Sequence, residues 1–288
     1  HPIVEMETAI GRYAKTNAID AYGAVNPKWK FAGAINVLCT LLIDMYYIIV
    51  SGYVLKYAVD FLIGTDFGAD KAAFYNDFIS KPVEPLIWSG ILMAITVILL
   101  SFGITEIVEK VTKVIMPLLF VLLIVCGVWA LFISEGAIDG LKFYLIPDFS
   151  KFTWKAFADA CVQVMFSVGI GWAIFSTLGA TLSDGSNIRK DSMMVTICDT
   201  CVALTAGFVI IPSVVGSGSE MAAGPSLIFL AMTEIFGSMP GGSIVGFLFF
   251  MALIFAVLST YFTILEIPVK CLEEKMKMSH KKATWITA

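Results

Sequence analysis

The sequence predicts an all-α membrane protein, on three observations. Apolar residues make up 58% of the 288 positions and charged residues 15%, whereas a soluble domain has roughly 45–50% and about 25%. The apolar residues gather in runs close to the roughly 20 that a helix needs to cross a bilayer, and mean hydropathy is +0.87. One of these runs, Ala160–Thr177, carries Ser167-Val-Gly-Ile-Gly171 at its centre. Gly costs about 1 kcal/mol against Ala in a helix interior, so this span is predicted to break. Unwound backbone at membrane depth is tolerated only in a polar cavity or buried in protein, and Gln163 and Ser167 supply polar side chains for such a place. Close packing on a neighbouring helix is the competing account of the two glycines.

In chain order, residues 1–11 read as the tail of a span, 31–63 as a long second one and 86–102 as a shorter third. Residues 112–134 form a fourth, with Pro117 near its start. Residues 156–182 form the broken fifth, 192–215 the sixth and 240–269 the seventh, and 284–288 begin an eighth. Residues 216–242, rich in Gly, Ser and Pro around a moderately apolar middle, read as an extracellular hairpin. Both ends of the chain fall in apolar segments, which predicts one transporter domain over 1–288 cut from a longer chain.

Loop charge orients the spans. Arg12, Lys15, Lys28 and Lys30 follow the first, and Lys270, Lys275, Lys277, Lys281 and Lys282 follow the seventh. Asp66, Asp70, Asp77 and Glu84 dominate the loop between the second and third. Cationic loops stay cytoplasmic, which puts the 216–242 hairpin outside. The net charge of −4 gives no reason to expect nucleic acid, and the six Cys show no metal-ligand spacing.

Four motifs together resemble the neurotransmitter:sodium symporters of the bacterial amino-acid branch. Glu7-Thr-Ala-Ile-Gly-Arg-Tyr13 looks like the second-helix signature, and Gly140-Leu-Lys-Phe-Tyr-Leu-Ile-Pro-Asp-Phe149 like the external loop before the broken sixth helix. Ala206-Gly-Phe208 suits the seventh helix and Phe255-Ala-Val-Leu-Ser-Thr260 the eighth. The resemblance implies part of a five-plus-five inverted-repeat transporter, from mid-helix two to the start of helix nine. It places the other broken helix, the first, upstream of His1.

The resemblance also implies roles for residues. Ala256, Ser259 and Thr260 would give one carbonyl and two hydroxyls to a sodium ion, a hard cation that prefers oxygen; back-bonding within the helix is the plain alternative. Ser167 and Asp199 match a second sodium site, where Asp199 stands in place of the usual Asn. A carboxylate at membrane depth suggests a function, and here its charge would replace chloride, with Gln163 in the same cluster and Ala203 where chloride-dependent relatives carry Ser. Tyr47 matches the tyrosine that meets a substrate carboxylate, and Ile43 lies one turn earlier on its face. Phe166 matches a lid over the substrate; Gly169, Trp172 and Ile264 match pocket walls, with Thr260 and Ser167 beside them. Glu7 and Arg12 would serve packing and cytoplasmic gating, and Asp44 has no assigned role.

The expected function is sodium-coupled uptake of an apolar or aromatic amino acid by alternating access, in a multi-pass protein of the bacterial inner membrane. Sodium would be required and chloride would not; no enzymatic chemistry is expected. A binding or regulatory protein of the same fold is the alternative. An intramembrane enzyme would need Asp44 and Asp199 close together, as paired-acid chemistry demands.

Overall fold

Backbone in a bilayer must satisfy its hydrogen bonds internally, and the chain does so with helices. The computed structural model describes residues 1–102, 105–133, 136–183, 185–216 and 224–288, with no strand among them. In order the helices are α1 (Pro2–Ala14), α2 (Ala18–Val25), α3 (Lys30–Ile63), α4 (Lys71–Ser80), α5 (Glu84–Ser101), α6 (Thr105–Ile133) and α7 (Ala137–Leu145). There follow α8 (Trp154–Val168), α9 (Ile174–Thr181), α10 (Ile188–Gly216), α11 (Ser226–Ser238), α12 (Gly242–Met276) and α13 (His280–Thr287). Among the described residues, five stretches are long and apolar enough to cross a membrane: Pro27–Ile63, Glu84–Ser101, Val108–Phe132, Ile188–Pro212 and Gly242–Met276. The predicted fifth span divides into α8 and α9, with the break at residues 169–173.

The expected spans stand close to the observed helices, with two kinds of difference. Helices overrun their apolar runs where a cap or polar partner supports them. α10 begins at Ile188 because Asn187 accepts the Lys190 N–H at 3.1 Å, and α12 runs through Pro268 to Met276. The connections also contain short helices that apolar runs could not reveal. Asn17 caps α2 through the Asp20 N–H, and Asp70 caps α4 through the Ala73 N–H, the usual use of these residue types. Of the expected 216–242 hairpin, residues 217–223 lie outside the described residues and α11 occupies much of the remainder.

The core sits where α12 lies along α3. Tyr57, Phe61, Phe229, Phe249 and Phe250 are at most 5% exposed and interlock, with Tyr57–Phe229 centroids 4.8 Å apart and Phe61–Phe250 5.5 Å. Such aromatic pairs stabilise beyond their buried area. Beside this block, α1 lies against α9 at backbone distance. A Cβ on Gly11 would stand 1.9 Å from the Ser176 carbonyl oxygen, and one on Gly179 would stand 2.2 Å from that of Thr8. Small residues permit this approach, and it positions α1 over the break. α8 by contrast is exposed from Trp154 to Ser167.

Candidate functional site

The break follows from the glycines. α8 stops at Val168 because Gly169 turns left-handed (φ 83°), and Gly171 (φ 82°) and Ala173 (φ 62°) repeat that turn. L-residues avoid this region because Cβ meets the next carbonyl. Gly169 therefore serves backbone conformation: a Cβ there would meet only the Ile174 Cδ1, at 3.0 Å. Its expected part in opening pocket space is secondary to that.

Unwound polar groups need partners when buried, and two side chains from other helices provide them. Glu7 on α1 accepts the Gly171 N–H through Oε1 at 2.9 Å. Thr40 on α3, fully buried, donates its hydroxyl to the Trp172 carbonyl. The second Glu7 oxygen is buried with no partner among the described residues. Sequence reasoning assigned Glu7 to packing and gating and did not single out Thr40. The signal available for Glu7 was a carboxylate within an apolar segment; for Thr40 there was none.

Around the break the expected residues form two groups. In the first, the Ser167 hydroxyl donates to Asp199 Oδ1 at 2.7 Å, tying α8 to α10. Phe166 meets Trp172 edge-on across the break, centroids 4.8 Å apart at 75°. Gln163 lies one turn earlier on exposed α8, and Ala203 lies one turn beyond Asp199. The second group lies between α3 and α12. The Tyr47 ring stacks on Tyr261, centroids 6.2 Å apart. Thr260 donates to the Ala256 carbonyl at 3.1 Å, which clusters two of the expected oxygens and leaves the hydroxyl lone pairs available. Ile43 is half-buried one turn before Tyr47. Thr40 on α3 links the groups through its bond to Trp172.

Two expected residues stand apart from these groups. Ile264 is 1% exposed, packed into the protein. Ser259, next to Thr260 on α12, borders a cavity of about 530 Å³ lined from α5, α6, α9, α12 and α13. Asp44 is buried against α12 with Oδ1 unpartnered among the described residues, as is the Tyr261 hydroxyl. Asp199 is instead bonded to Ser167 on α8, so the two acids have different partners.

The chain matches the Sodium:neurotransmitter symporter family over residues 1–65 and 81–288. It is 32% identical to an uncharacterized sodium-dependent transporter of Haemophilus influenzae, an alignment covering 99% of this chain and 66% of the relative. It is 31% identical to an uncharacterized sodium-dependent transporter of Bacillus subtilis, YhdH, covering 99% and 64%. The crystal structure of MhsT in complex with L-phenylalanine superposes with a TM-score of 0.88 at 32% identity, covering 99% of this chain and 66% of that one. The chain thus spans about two thirds of the length of these relatives. They are transporters by description, in keeping with the absence of enzymatic chemistry expected from the sequence. With its broken helix, its apolar spans and these matches, the chain belongs to the sodium:neurotransmitter symporter family.

Proposed function

We propose that this chain forms the greater part of a sodium-coupled amino-acid transporter whose solute sits at the 169–173 break. The observation that carries the reading is the break itself, held open by Glu7 and Thr40 with Ser167 and Asp199 at its edge. Half-helix ends and unwound carbonyls offer partial charges for ions and a zwitterion. The relatives described as sodium-dependent transporters support sodium as the driving ion. The phenylalanine in the MhsT complex supports an apolar or aromatic amino acid.

In this reading Tyr47 meets the substrate carboxylate, Phe166 covers the bound solute, and Ile43, Trp172, Gly169 and Ile264 shape its surroundings, with Thr260 and Ser167 between solute and ions. One sodium takes oxygens from Ala256, Ser259 and Thr260. The other takes them from Ser167 and Asp199, a carboxylate whose charge removes the need for chloride, with Gln163 nearby. Sodium would order the break, and the α8–α9 unit would rock to open the Lys/Arg-rich face.

The test is uptake of labelled phenylalanine, leucine and glycine by the full-length protein in proteoliposomes, with and without an inward sodium gradient. Sodium-dependent uptake favouring the larger apolar substrates is expected. Uptake indifferent to sodium would overturn the coupling, and a preference for glycine would overturn the substrate class.

A further inference from the structure

Asp44 is a buried acid to which the transport reading gives no task. It lies on α3 between two residues of the candidate site, in the register Thr40, Asp44, Tyr47. Positions i, i+4 and i+7 fall on one helical face, and Asp44 stands about 6 Å along the axis from Thr40 and about 4.5 Å from Tyr47. Thr40 reaches the break through the Trp172 carbonyl, and the Tyr47 ring stacks on Tyr261 of α12. Asp44 therefore shares the face of α3 that meets the break at one end and Tyr261 at the other.

Two polar groups there lack partners. Asp44 is 7% exposed and Tyr261 1% exposed, and neither Asp44 Oδ1 nor the Tyr261 hydroxyl has a hydrogen-bond partner among the described residues. Buried polar side chains are nearly always bonded, and an acid at membrane depth is costly and by default functional. Ile48, one turn beyond Asp44, and Ile264, one turn beyond Tyr261, are buried and apolar and offer them nothing. The chemistry of the two groups says what would satisfy them. A carboxylate only accepts, so Oδ1 calls for an N–H or O–H donor, while a tyrosine hydroxyl can give or take a hydrogen bond.

We propose that Asp44 and Tyr261 set side-chain specificity, selecting an aromatic amino acid whose ring ends in a hydroxyl over one whose ring ends in C–H. This rests on the reading that an amino acid sits at the break, and it narrows the substrate class. A phenol suits both groups: its O–H donates to Asp44 Oδ1, and its oxygen accepts from the Tyr261 hydroxyl. Phe166 and Trp172, edge-on at the break, suit its ring. A phenyl ring of nearly the same size leaves both groups unmet. A site built to hydrogen-bond a hydroxyl rejects the analogue lacking it far more strongly than an apolar pocket rejects a change of size.

Isothermal titration calorimetry on the full-length protein in detergent, at saturating sodium, compares L-tyrosine with L-phenylalanine. Wild type should bind tyrosine about 10–100-fold more tightly, the worth of a hydrogen bond to a charged group. Asp44→Leu keeps the bulk and removes the acceptor, and should abolish the preference by weakening tyrosine. Tyr261→Phe keeps the stacked ring and should reduce the preference about 2–10-fold. Equal binding, tighter phenylalanine or no binding of tyrosine in wild type would overturn the inference. So would a preference that survives in Asp44→Leu, since Oδ1 would then be satisfied from elsewhere in the full-length protein. The wild-type comparison decides even where Asp44→Leu fails to fold. Uptake indifferent to sodium would remove the coupling and leave this preference in place, whereas equal binding of the two amino acids would remove the preference and leave the coupling.

Discussion

At the scale of the residue, the bond from Ser167 to Asp199 and the grip of Glu7 on Gly171 make separable predictions. If the Asp199 charge serves in place of chloride, Asp199→Asn removes the charge and keeps the shape. Sodium half-saturation should then rise about tenfold without chloride, about 1.4 kcal/mol, and added chloride should restore it. A variant that transports normally and ignores chloride would remove Asp199 from that role. At Glu7, alanine strips the acceptor from a half-buried N–H, which costs toward the lower end of about 1–3 kcal/mol, whereas glutamine keeps a carbonyl there. Thermal unfolding of the full-length protein should therefore rank wild type and Glu7→Gln above Glu7→Ala. Equal melting of all three would mean that the break is held by something else.

At the scale of the element, two glycines act for different reasons, and substitution can tell them apart. Gly179 is needed for helix approach: a Cβ 2.2 Å from the Thr8 carbonyl oxygen meets backbone that cannot rotate away. Gly179→Ala should push α1 from α9 and destabilise by about 1–3 kcal/mol, as overpacking does. Gly169 is needed for its left-handed turn. Gly169→Ala should cost about 1–2 kcal/mol, and Gly169→Asn less, because Asn tolerates that region. If pocket space were the reason for glycine, the larger Asn would be the worse of the two. Denaturant unfolding of the variants gives the order. The break itself was legible from Ser167-Val-Gly-Ile-Gly171, since two glycines beside a serine are a local signal. That Ala173 would continue the left-handed path was not legible, because its conformation is imposed by α3 and α12 packing around it.

At the scale of the molecule, the spans could be read because a bilayer crossing demands a long apolar run, and the run is written locally. The partners that hold the break could not: Glu7 lies 164 positions from Gly171 and Thr40 lies 132 from Trp172, and no periodicity encodes such pairs. The short helices α2 and α4 were missed for a different reason: at 8 and 10 residues their apolar runs are far shorter than a bilayer crossing demands. α2 nonetheless joins distant parts of the protein. Asp20 pairs with Lys30 at the start of α3 at 2.8 Å and with Lys275 near the end of α12 at 3.0 Å, while Glu274 accepts from Thr16 and the Asn17 N–H, each at 2.9 Å. The hydrogen bond from Lys30, with help from Asn17 and Lys275, holds the Asp20 carboxyl well below the usual carboxylate range. A carboxyl with a folded pKa below its unfolded value of about 3.9 stabilises above that pH. Its contribution fades as pH falls below about 4 toward the folded pKa. The pairs are partly exposed, so the effect should be modest and screened by salt. Wild type should melt above Asp20→Asn near neutral pH at low salt, and the gap should narrow in high salt and close as pH drops through the acid range. A gap that persists unchanged into acid would show that Asp20 acts through hydrogen bonds its neutral carboxyl also makes, and not through its charge.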